Sequence, residues 1–131
     1  MPPVITVGYV FAALAALLHV YIFVLESVLW TKPRARRVFG TTAEEAIATQ
    51  ELALNQGFYN LFLAFVAAAG VVALARDYIG IGAALVYAGA GSMLLAALVL
   101  LVTSPGKARS AATQGTLPLL SVLFLSLGLY A

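Results

Sequence analysis

The chain has 131 residues, 63% of them hydrophobic and only 9% charged, with a formal net charge of +2 and a mean hydropathy of +1.05. A soluble domain is charged at about a quarter of its positions, so composition excludes that class and leaves an integral membrane protein. There is no cysteine, which excludes disulfides, thiolate chemistry and Cys-based metal sites, and so small a net charge does not point to nucleic acid.

A transmembrane helix needs about 20 mostly apolar residues at 1.5 Å rise each. Four stretches qualify: residues 4–29, 55–75, 79–103 and 113–130. The separators TKPRARRVFGTT, ARDY and SPGKAR all carry charge. The expected fold class is therefore all-α, a four-transmembrane-helix bundle forming one domain over residues 1–131. The first stretch is read as a retained span and not as a cleaved signal peptide. MPPVITVG lacks Lys and Arg, and the apolar run continues past the A-x-A-like triplet Ala13-Leu14-Ala15.

That first span contains HVYIFVLE, residues 19–26. His19 and Glu26 are seven positions apart, close to two helical turns, so both leave the helix on one face. His19, Phe23, Glu26 and Trp30 follow the i, i+4, i+7, i+11 spacing of one helical stripe. A charge near a bilayer centre costs about 2.5 to 3.5 kcal/mol even on insertion scales, so Glu26 needs a partner. Arg34, Arg36 or Arg37 could fold back onto it. His19 and Glu26 lie about 10 Å apart along the axis, so each has its own partner or both line one elongated cavity. Trp30, last before the basic segment, suits an interfacial anchor.

Charge then sets topology. The first connection holds Lys32, Arg34, Arg36 and Arg37, and the third holds Lys107 and Arg109. Only Arg76 lies at the other side, beside Asp77. The positive-inside rule assigns the basic side to the cytoplasm, giving N-out/C-out. The second helix is expected to start before its span, with Thr41 or Thr42 as N-cap and Glu44 and Glu45 in the first turn, where the helix dipole favours acids. It then extends about 13 Å on the cytoplasmic side, unless residues 42–51 form a separate surface helix bending near Gly57.

The later spans complete a polar layer. Gln56 and Asn60 form an i, i+4 pair with Asn55 beside them, and Gln114, Pro118 and Ser121 form a stripe on the fourth helix. Counted at 1.5 Å per residue from the basic boundaries, Glu26, Asn55, Gln56, Asn60 and Gln114 lie about 6 to 14 Å deep, and His19 about 18 Å deep. Lipid cannot satisfy such groups, so these stripes are expected to face the bundle interior. Tyr21 and Tyr59 could add hydroxyls or sit in the aromatic belt. In the third helix Gly80, Gly82, Gly89, Gly91 and Ser92 are expected to allow close helix approach.

HVYIFVLE, then W-T-x-P-R-x-R-x-V-F-G, N-Q-G-F-Y-N-x-F-L-A and T-Q-G-x-x-P, resemble the DUF1304 family of small four-helix membrane proteins across all four spans. The NQGxYNxFLA segment is the most specific part. The resemblance implies the fold and a polar layer at His19, Glu26, Trp30, Asn55, Gln56, Gly57, Tyr59, Asn60, Gln114 and Pro118. It implies no reaction.

One histidine and no cysteine argue against a zinc or haem site within one chain, and no phosphate-loop motif is present. No cofactor and no metal is expected. Two chemical readings follow. A small amphiphilic molecule could bind or pass through a polar pocket in the cytoplasmic half, lined by His19, Tyr21, Glu26, Trp30, Asn55, Gln56, Tyr59, Asn60 and Gln114, with a homodimer needed for passage. A membrane enzyme could instead isomerise or hydrate a lipophilic substrate, with His19 and Glu26 as catalytic acid and base. An accessory subunit of a membrane complex is the third reading. The expected partners are membrane lipid and an amphiphilic ligand, and the expected location is a bacterial inner membrane, multi-pass.

Overall fold

The computed structural model describes all 131 residues, Met1 to Ala131. Helix α1 spans Pro3–Phe23, opened by a proline whose missing N–H is not needed in a first turn. It runs on as a single π-helical turn, Val24–Val28, closed by Leu29 N–H donating to Val24 O at 2.9 Å. Helix α2, Pro33–Phe39, begins with a proline and ends at Gly40, whose φ of 65° is the left-handed conformation that terminates helices. Helix α3, Ala43–Ala75, is continuous over 33 residues. Helix α4 spans Ile79–Thr103, and a 3₁₀ turn at Pro105–Lys107 leads into α5, Ala108–Tyr130.

Thr42 is the cap of α3. Its hydroxyl accepts the Glu45 N–H at 3.1 Å while Glu45 Oε2 accepts the Thr42 N–H at 3.2 Å, a reciprocal capping box. The helix therefore starts at the basic end without a bend at Gly57, and at 1.5 Å per residue it is about 50 Å long. Its first turns do not project freely, since Ala46 and Ala53 are buried.

Helices α1, α3, α4 and α5 pack in a ring in that order, α5 closing back onto α1. Four segments have the length and hydropathy to cross a membrane: Pro3–Val28, Ala43–Ala75, Ile79–Thr103 and Pro105–Tyr130. The chain is thus a multi-pass, all-α membrane protein. Between such helices no hydrophobic drive operates, and close van der Waals packing holds them together. The seams are accordingly lined by small residues: Ala12, Ala15, Ala64, Ala67, Ala90 and Ala97 are buried. A Cβ on Gly89 would stand 2.8 Å from Ala67 N, so α4 lies almost backbone to backbone against α3. Toward the other end Ser121 donates to Gly8 O at 2.9 Å, and Tyr87 pairs with Ser126 at 2.8 Å.

Several expectations need correction. The basic connection between the first two spans is not a loop throughout, because α2 occupies it. The stripe from His19 to Trp30 is broken by the π turn, which ends at Val28, so Trp30 lies outside the helix. Of the small residues of α4, Gly82 and Gly89 make the tight contacts. Gly80 and Gly91 face open space and Ser92 is exposed. Asn55 and Gln56 do not turn into the bundle interior; both are exposed. The buried seam of α3 passes through Ala53, Gly57 and Ala64, and helical geometry sets Asn55 and Gln56 off that line.

Candidate functional site

The site is built where the π turn meets α3. An extra residue per turn widens the helix and changes the phase of the residues beyond it. Consecutive residues Leu25 and Glu26 of this turn are both buried, but they serve different sides. Leu25 lines a cleft on the α5 side, while Glu26 lines the clefts beside α3. Asn60 Nδ2 donates to Glu26 Oε1 at 2.5 Å, which holds one carboxyl oxygen in place. No arginine of the first connection folds back onto Glu26. Arg34 and Arg37 line the α5-side cleft instead.

Gly57 makes this contact possible. A Cβ there would overlap Ser27 Oγ and lie 3.0 Å from Ser27 Cβ and N. With only hydrogen at that position, Ser27 comes close enough to donate to Leu54 O at 2.9 Å. One turn deeper, Phe23 meets Phe58 edge-on at 5.0 Å. Above, Trp30 Nε1 donates to Thr49 Oγ1 at 3.1 Å, and its ring lies 5.2 Å from Phe39 of α2. The Thr49 hydroxyl in turn donates to Glu45 O at 2.7 Å. Trp30, Thr49 and the Glu45 carbonyl thus form one hydrogen-bonded chain.

Two clefts flank this seam. One, of about 570 Å³, is lined by Glu26, Trp30, Thr49, Asn55, Gln56 and Lys107, together with Glu45. The other, of about 410 Å³, lies on the opposite flank of α3 and includes Glu26, Ser27, Trp30, Gln50 and Glu51. Glu26 and Trp30 belong to both. The larger cleft combines two acids, Glu26 at its seam and Glu45 beside it, with amides along one wall and a lysine from the α4–α5 connection. Such a lining can accept and donate hydrogen bonds to a polar head group while Leu52 and Trp30 offer apolar surface.

The other sequence-derived residues separate from this site. His19 is buried, but Nδ1 lies 2.8 Å from Ala15 O, one turn back on its own helix. A carbonyl only accepts, so Nδ1 is the donor and a neutral ring presents Nε2 as an acceptor. His19 lines neither cleft beside α3; it and Glu26 have separate partners and not one elongated cavity. Tyr21 and Gln114 line the α5-side cleft with the arginines. Tyr59 is exposed on α3. Sequence reading missed Thr49, Glu45 and Lys107. The 45, 49, 56 spacing on one helical face was a signal for the first two, but nothing local indicated that Lys107 would join them. No three His, Asp or Glu side chains stand together in a metal-ligating group.

No curated protein and no solved structure is significantly similar to the chain. The family described as "Protein of unknown function (DUF1304)" matches residues 13–126, a stretch that contains His19, the π turn with Glu26, Gly57, Asn60 and Gln114. The chain therefore belongs to the DUF1304 family.

Proposed function

We propose that this membrane protein binds a small amphiphilic molecule in the cleft between the π turn and α3, with the ligand's polar end donating to Glu26. The observation that carries this reading is a buried carboxyl held by Asn60 on a π turn and lining a cleft of about 570 Å³. Clefts of that size suit small ligands, and single π turns recur at functional positions because they re-aim side chains. In this reading the basic end faces the cytoplasm, supported by six of the seven Lys and Arg residues lying in the two connections at that end. Catalysis by a His19–Glu26 pair finds less support, since His19 is bonded to its own helix and outside the cleft.

Trp30 is the sole tryptophan and lines the cleft, so its emission reports on the ligand directly. Full-length protein in neutral phosphatidylcholine nanodiscs is titrated with dodecanol, dodecylamine and laurate. A saturable change is expected with the first two, whose heads donate a hydrogen bond, and Glu26→Ala weakens it about tenfold or more. A response that survives Glu26→Ala is simple partitioning into lipid and overturns the proposal. So does the absence of any response from all three probes.

A further inference from the structure

On the other side of α1 lies a cleft of about 520 Å³ that the amphiphile site does not use. Three guanidinium groups converge on it from two connections: Arg34 and Arg37 of α2, and Arg109 at the start of α5. Thr113 and Gln114 of α5 add polar groups beside them, and Leu18 and Ile22 of α1 with Leu25 of the π turn form an apolar wall. Those three leucine and isoleucine side chains cover about 10 Å along α1.

The charge there is not balanced by the protein. No Asp or Glu lines this cleft, nor either of the two smaller clefts adjoining it at Arg37. The adjoining surface adds two more basic residues, Lys107 on one side and Arg36 on the other. Arg36 Nε is buried without a hydrogen-bond partner. Arg34, Arg37 and Arg109 are exposed, so with no carboxylate among them their donors are free for an anion from outside, and arginine forks match phosphate oxygens in pairs. Basic pockets between helices at a membrane surface are where anionic head groups are held. The apolar wall runs from that basic rim into the depth of the bundle, as an acyl chain does.

We infer that the cleft between α1 and α5, roofed by α2, is a binding site for one anionic phospholipid, its phosphate on Arg34, Arg37 and Arg109 and the upper part of a chain along Leu18, Ile22 and Leu25. Tyr21 and Gln114, both in the lining, are positioned for the glycerol region. The α2 roof is fixed from both sides, by Phe39 on Trp30 and by Ser110 Oγ donating to Val38 O at 3.4 Å.

The test is native mass spectrometry of the full-length protein released from detergent. Dioleoylphosphatidylglycerol and dioleoylphosphatidylcholine are compared as bound adducts. Wild type retains one phosphatidylglycerol per chain, favoured over phosphatidylcholine by at least tenfold. Combined Arg34→Gln, Arg37→Gln and Arg109→Gln removes that preference and brings the two lipids to equal retention, a loss of about tenfold or more. Arg76→Gln, which removes one charge at the far end, leaves it unchanged. Equal retention of the two lipids by wild type overturns the inference even if the triple variant fails to fold. Displacement of the adduct by millimolar glycerol phosphate also overturns it, because the ligand is then a soluble phosphate and not a lipid.

Discussion

The closest approach in the candidate site, Gly57 against Ser27, gives the sharpest prediction. In Gly57→Ala the new methyl would overlap Ser27 Oγ. The hydroxyl can rotate away, but it then loses its bond to Leu54 O, worth about 0.5 to 1.5 kcal/mol. Ser27 Cβ and N remain at 3.0 Å, so α3 and the π turn must also part by a few tenths of an ångström. Overpacking of this kind costs about 1 to 3 kcal/mol. The expected total for Gly57→Ala is about 1.5 to 4.5 kcal/mol. Ser27→Ala alone removes the bond and the Oγ but keeps Cβ, and costs about 0.5 to 1.5 kcal/mol. In the double variant the hydrogen bond can be lost only once, so its destabilisation falls short of the sum by about 0.5 to 1.5 kcal/mol. Reversible unfolding of all four proteins in mixed micelles, followed by Trp30 emission, measures the cycle. Strict additivity, or a Gly57→Ala protein as stable as wild type, refutes the proposed contact and with it the geometry that seats Glu26.

Two further predictions use the same assay. Asn60→Leu leaves the buried Glu26 carboxyl without its partner and destabilises by about 1 to 3 kcal/mol, whereas Asn60→Gln recovers part of that; equal stability of Leu and Asn at this position would remove Glu26–Asn60 from the site. In α4, Gly89→Ala meets Ala67 backbone at 2.8 Å and loosens the α3–α4 seam, while Gly91→Ala meets nothing and gains up to about 1 kcal/mol from helix propensity. Reversal of that order would mean α4 is rotated.

Which side of each helix faces the core depended on pairings that lie far apart in the chain. The separation of the polar set shows why. Glu26 and Leu25 are adjacent in sequence and line clefts on different sides of the first helix, as a step of about 100° per residue allows. What the π turn shifts is the phase of the residues beyond it, and its i to i+5 bond from Val24 to Leu29 has no signature in hydropathy. Asn60 was correctly singled out as polar, but its bond to Glu26 spans 34 positions. Asn55 and Gln56 looked equivalent to it. Only the seam through Ala53 and Gly57 distinguishes them, and that seam is fixed by the neighbour as much as by α3.

What residue order alone determined is the number of spans and their order. Twenty or more apolar residues in a row can be accommodated only by a helix in lipid, because every backbone N–H and C=O must then be bonded within the segment. The start of α3 was legible to within one residue, Thr41 or Thr42, and the structure selects Thr42. Tertiary structure decided the rest: that Glu26 pairs with Asn60, that His19 turns back to Ala15, and that Tyr21 and Gln114 join the arginines. These are interactions between helices, set by how closely glycine and alanine seams let two backbones approach, and one inserted residue in a turn is enough to reassign every side chain beyond it.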